Sequence, residues 1–150
     1  MLAYSWQRNM SKVALMVSKV SSLPLEVLHV EIQESIKKLS PQLTSVQLTN
    51  TVTYHGTRYS AGMILPYGST GGLPDFVEII QMLILENNLF FIVKKLNAWY
   101  QDHLRSFLLE SCREVDLVPH HNLPDVYPLA AYNFAGKRMV TLKRYIYCPF

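Results

Sequence analysis

The sequence predicts a mainly β protein, a small antiparallel barrel or rolled sheet of about six to seven strands preceded by an amphipathic helix. Three observations carry this. Ahead of Pro41 apolar residues recur at steps of three and four, at Leu25, Leu28, Ile32, Ile36 and Leu39. Beyond Pro41 the period shortens toward two, and valine, threonine and aromatic residues accumulate. Glycine and proline clusters then punctuate the chain about every ten residues. With 150 residues, 49% of them apolar and 17% charged, the chain has the hydrophobicity for one domain with a core. The organisation expected is a helical N-terminal appendage over residues 1–44 and a compact β module over 45–150.

Element by element, the first 22 residues carry no strong period, and Lys19 to Pro24 reads as a loop able to start a helix. The helix that follows places Glu31, Glu34, Lys37 and Lys38 off its apolar stripe, with acids ahead of lysines as the helix dipole favours. Pro41 ends it. Ser45 to Tyr54 reads as one half-buried strand, His55 and Gly56 as a turn, and Arg58 to Tyr67 as a strand interrupted at Gly62. Asp75 to Leu96 fits either a helix, with Asp75 and Glu78 in capping-box register, or a hairpin turning at Glu86 to Asn88. The hairpin is the better reading, because Leu-Phe-Phe-Ile-Val is poor helix composition and strands buried on both faces read as continuous apolar runs. A turn or short helix at Asn97 to Leu104, strands at Arg105 to Ser111 and near Val115 to His120, a loop from Leu123 to Arg138 and a last strand at Met139 to Tyr147 complete the expectation.

Charge is unevenly spread. Residues 1–44 hold five cations against three acids, and 45–136 hold five against eight. The last stretch holds Lys137, Arg138, Lys143 and Arg144 without an acid, more than the whole net charge of +3. Two cysteines, Cys112 and Cys148, make no disulfide framework, so an intracellular setting, nuclear or cytoplasmic, is expected. The apolar run from Val13 to Val17 is too short for a signal core or a membrane span.

Motifs with a mechanism are lacking. Gly68 to Asp75, Gly-Ser-Thr-Gly-Gly-Leu-Pro-Asp, has Leu73 and Pro74 where a Walker loop needs Lys and Ser or Thr, so these glycines are read as turning the chain rather than cradling phosphate. Cys112, His120 and His121 match no metal spacing, the histidines read as exposed loop residues, and no cofactor or metal is expected. Asp75, Glu78, Asp102, His103 and Asp125 are candidates for acid–base work but form no recognisable set, so no catalytic residue is assigned.

Two binding readings remain. Tyr54, Tyr59, Tyr67, Trp99 and Tyr100 flank the turns of the expected barrel and suit a rim that binds a protein or peptide partner, even caging a methylated lysine. The alternative is nucleic acid held by Lys137, Arg138, Lys143 and Arg144, weakened by alternation along a strand and rivalled by a charged, aggregation-resistant edge. If the stripe of Leu25, Ile32 and Leu39 stands exposed, the N-terminal helix docks either on missing sequence or on another subunit, the second being self-association through that helix.

Gly62 before an apolar strand, Gly72-Leu73-Pro74 with Asp75-Phe76 and Glu78-Ile79, Trp99-Tyr100 with His103, and Tyr127-Pro128-Leu129 form a pattern. Over about residues 50–147 it resembles the C-terminal region of long, uncharacterised, transposable-element-derived animal proteins abundant in fish. The resemblance implies strands from Phe76 to Leu96 and a chain that is a fragment of a longer protein, and it supplies no activity and no site residues. The expected function is therefore a non-catalytic intracellular interaction module of a transposon-derived protein.

Overall fold

A computed structural model describes residues 3–4, 15–17 and 20–142. The described residues form twelve strands, all paired antiparallel, and one α-helix. The strands are β1 (Ala3–Tyr4), β2 (Leu15–Val17), β3 (Ser21–Pro24), β4 (Ser45–Thr49), β5 (Thr51–Tyr54), β6 (Thr57–Ser60), β7 (Ile64–Thr70), β8 (Leu73–Leu85), β9 (Asn88–Gln101), β10 (Ser106–Pro119), β11 (Tyr132–Phe134) and β12 (Lys137–Val140). The helix, α1 (Val30–Leu39), precedes β4. Four strands make a small sheet, β1-β2-β5-β6, and eight make a large one, β11-β12-β10-β9-β8-β4-β3 with β7 also paired to β8. The large sheet is open, because its outer strands β11 and β3 do not pair with each other. It is therefore the rolled sheet of the sequence reading rather than the barrel.

The strands from Phe76 to Leu96 are a hairpin, as expected, but longer than the turn signals suggested. β8, β9 and β10 run 13, 14 and 14 residues as one meander. Asn97 to Gln101, expected as a turn or short helix, continues β9, and only Asp102–Leu104 forms a 3-10 turn. The strands expected at Arg105 to Ser111 and Val115 to His120 are one strand, Ser106–Pro119, whose register shifts between Ser111 and Val115. Alternation survives that shift because a bulge inserts residues without ending the ladder. Tyr132–Phe134, expected within a loop, is a strand of a short hairpin with β12.

Two-residue loops join four of the hairpins. Each of His55-Gly56, Gly71-Gly72, Glu86-Asn87 and Ala135-Gly136 has positive φ at both positions, the pattern of type I′ turns, whose twist matches that of the strands they join. The glycines at 71 and 72 thus turn the chain between β7 and β8.

Two stretches read as single strands are each two. Ser45 to Tyr54 breaks at Asn50, where β4 leaves the large sheet and β5 enters the small one. Thr49 Oγ1 donates to the Thr51 carbonyl at 2.9 Å and accepts from the Thr51 amide at 3.3 Å, a local bond that competes with the ladder. The chain returns at Ala61-Gly62, with Gly62 at φ +94°, so this glycine is a crossing between sheets rather than a bulge inside one. The Ala61 amide bonds the Asn50 carbonyl at 2.9 Å, which holds the two crossings together.

Lys19 to Pro24 holds a strand, β3, where a loop was expected. Its serines pair with Leu48 and Gln47 at the sheet edge, where a polar strand ending in proline is tolerated. The helix begins later than its stripe, since Leu25–Val27 forms a 3-10 turn and Leu28 is extended. Gln33 Nε2 donates to the Leu28 carbonyl at 2.7 Å and the Glu26 carbonyl at 3.2 Å, which fixes that bend.

Three apolar clusters cover the meander. One face of β8–β9 presents Val77, Ile79, Phe91 and Val93 to Val17 and Val52 of the small sheet. The other face presents Leu83, Phe90 and Ile92 to Ile32 and Ile36 of α1 at one end. At its far end it presents Phe76, Leu96 and Phe107 to Ile64, Leu129 and Val140. Leu25, Ile32 and Ile36 are thus buried by the chain's own sheet, and only Leu39 of the predicted stripe stays 54% exposed.

Ile36→Ala should therefore lower unfolding stability by about 2–5 kcal/mol, and Leu39→Ala by less than about 0.5 kcal/mol, in urea titrations. Gly72→Ala should cost about 1–2 kcal/mol through its φ of +84° alone, because an added Cβ there meets nothing within 4 Å.

Candidate functional site

The expected aromatic residues do not form one rim. Tyr59 is 0% exposed, its ring set edge-on against Phe91 at 5.0 Å. Its hydroxyl donates to the Val126 carbonyl at 2.5 Å and lies 3.1 Å from His120 Nε2. Because the tyrosine proton is used on Val126, His120 donates from Nε2–H to the Tyr59 oxygen. Tyr59 is a core residue, unavailable to a partner, since its ring faces the centre of the two-sheet core. Tyr54 is half-buried beside it, 4.7 Å from the His120 ring, so His120 is also no exposed loop residue. Burial pushes the Tyr59 hydroxyl up to about 12, and burial followed by the neighbouring His55 and His121 pushes His120 down.

Trp99 and Tyr100 are neighbours on β9 and so point to opposite faces. Tyr100 lies with Phe107, ring centroids 5.1 Å apart, at the margin of the third cluster. Trp99 stands on the face of Val77 and Lys95, and that face holds the candidate site. Register carries the row across four strands: Trp99 opposes Leu108, Leu108 opposes Met139, and Met139 opposes Tyr132. Phe134, two residues from Tyr132, shares its side. Trp99, Tyr132 and Phe134 are 48%, 41% and 50% exposed. The Tyr132 hydroxyl is hydrogen-bonded to Ser106 Oγ at 2.7 Å and Thr141 Oγ1 at 2.9 Å, which fixes the ring's orientation.

Beside this row lies a cavity of about 350 Å³ lined by Tyr67, Asp75, Lys95, Asn97, Cys112, Glu114 and Asp116. It sits where two strands are irregular. Tyr67 and Gly68 of β7 oppose Asp75, and residues 112–114 of β10 oppose Lys95, each with more residues on one strand than on its partner. Lys95 is 3.4 Å from Glu114. Asp75 accepts from Thr70 Oγ1 at 2.9 Å and Asp116 from the Leu117 amide at 2.8 Å. Neither aspartate has a cationic partner among the described residues.

The remaining candidates are scattered. Glu78 points to the opposite face from Asp75, where Arg138 Nη1 meets its Oε1 at 3.0 Å in a half-buried ion pair. Arg138 is thereby committed within the fold, Lys137 is exposed on β12, and Lys143 and Arg144 lie outside the described residues. Asp102 and His103 sit in the 3-10 turn, and Asp125 in the loop after β10. Among the described residues no group of three or more His, Cys, Asp or Glu is placed to hold a metal, and no helix is long and apolar enough to cross a membrane. No family model, curated protein or solved structure matches the chain.

The sequence reading missed Tyr132, Phe134, Glu114 and Asp116. Tyr-Asn-Phe before Ala-Gly is an alternating strand ahead of a turn, and that signal was available. The acids were not legible, because only the bulge sets them against Asp75 from another strand.

Tyr59→Phe should cost about 1–3 kcal/mol, since it leaves the Val126 carbonyl without its donor. His120 is depressed in the fold, so the unfolded chain binds its proton more readily. Stability should be full above pH 6.5 and fall as pH drops below it, and His120→Gln should flatten that slope in pH-dependent urea titrations. Tyr59, raised from 10.0 to about 12, should give stability that is full below pH 10 and lost as pH rises through that interval.

Proposed function

We propose that the chain is a non-catalytic interaction module that binds a protein partner over the face of β9, β10, β12 and β11 from which Trp99, Tyr132 and Phe134 emerge. The observation that carries this reading is the row of Trp99, Tyr132 and Phe134 beside the cavity. Tryptophan and tyrosine at the centre of a patch are the side chains that dominate protein interfaces, and a ring already fixed by hydrogen bonds loses little entropy on binding. An intracellular setting rests on the two cysteines, and origin in a larger transposon-derived protein rests on the resemblance over residues 50–147. The nucleic-acid reading is the weaker one, since Arg138 is tied to Glu78 and the cavity beside the aromatic row is acidic.

The test is affinity capture from cell extract with the wild-type chain and with Trp99→Ala/Phe134→Ala. Both rings are about half exposed, so the variant should keep its circular-dichroism spectrum and its urea midpoint. A protein retained by the wild type, lost with the variant and bound again once purified supports the reading. Identical retention by the two folded chains refutes it.

A further inference from the structure

The chemistry of the partner follows from the charges on this face. Asp75, Glu114 and Asp116 line the cavity, and Glu110 opposes Asn97 on the same side of the sheet. Lys95 is the cation among the cavity's lining residues, and its ammonium is already 3.4 Å from Glu114. Asp75 and Asp116 therefore leave the recess net negative, since its one lysine is paired with Glu114 and neither aspartate has an ion-pair partner among the described residues. A volume of about 350 Å³ stands at the small end of ligand pockets, which run from about 300 to 1,000 Å³, so it suits one long side chain rather than a cofactor. Trp99 lies on the same face two residues beyond Asn97, roughly 7 Å along the strand. An exposed indole beside carboxylates can stack on a planar cation while they accept its hydrogen bonds.

We infer that the partner presents an extended, arginine-bearing segment, with one guanidinium seated in the cavity against Asp75 and Asp116 and the neighbouring residues lying over Trp99 and Tyr132. This rests on the binding face proposed above. Arginine fits better than lysine because its planar fork meets two carboxylates at once and stacks on an aromatic ring.

Fluorescence anisotropy of the full chain with labelled peptides provides the test. The probe carries three arginines separated by Gly-Ser pairs, and its counterparts carry citrulline, lysine or glutamate at the same positions. The arginine peptide should bind, weaken with salt, and exceed the citrulline and glutamate peptides by at least tenfold. Asp75→Asn/Asp116→Asn should reduce its affinity at least tenfold with an unchanged circular-dichroism spectrum, and Trp99→Ala should weaken it as well. Equal binding of the arginine and citrulline peptides, no binding of either, or full binding to both variants would overturn the inference. If the arginine peptide fails while extract partners still depend on Trp99 and Phe134, only the partner chemistry falls. If that dependence is also lost, the binding face falls with it.

Discussion

Burial of both faces of the β8–β9–β10 meander is the constraint from which the other elements follow. Its strands are apolar on both sides, so each side needs a covering layer. Fourteen extended residues span about 46 Å, whereas the ten residues of α1 span about 15 Å, so one helix cannot cover even a single face. The chain answers with separate pieces. The small sheet covers one end of the first face, α1 covers one end of the second, and the segment around Leu129 covers the other end of the second. Among the described residues the fourth quarter has no such cover, and there the apolar pattern gives way to Lys95, Asn97 and Trp99. The candidate site is thus placed by the shortage of covering layers as much as by its own residues.

The irregularities in the ladder serve the same geometry. Register shifts in β7, β8 and β10 add residues to one strand without ending its pairing, and such bulges increase local twist. Two of the three border the cavity. They bring Asp75 of β8 together with Glu114 and Asp116 of β10, although β9 lies between those strands.

The sequence made the class of fold legible and its connections only partly so. The spacing of Ile32 and Ile36 identified the helix and its buried side, and Pro41 its end. Leu39 misled, because spacing alone does not show where the covered surface stops. The composition of Leu89 to Val93 separated strand from helix, and the Gly71-Gly72 turn was read rightly as punctuation. Division into two sheets was not legible, because a crossing at Asn50 depends on a local threonine bond that alternation does not register. Tyr59 was taken for a rim residue because it flanks a turn of the expected barrel. Its partners, Val126 and His120, lie more than sixty residues away and were invisible to local pattern. Trp99, singled out by the sequence reading, is half exposed, but its neighbours on the face come from β11 and β12, over residues read as a loop from Leu123 to Arg138 and the start of a strand at Met139.

The crossings at Asn50 and Ala61 bear on how such a chain tolerates change. The β5–β6 hairpin leaves the large sheet and returns to it at two points joined by one backbone hydrogen bond, so in topology it is an inserted module on a closed stem. Lengthening or shortening the loop at His55-Gly56 alters nothing in the order or register of the eight-stranded sheet. Excising the hairpin would keep that sheet's connectivity while stripping the cover from Val77, Ile79 and Phe91. Length variation in this protein's relatives is therefore expected to concentrate at the tip of this hairpin, with the stem at Asn50 and Ala61 kept intact.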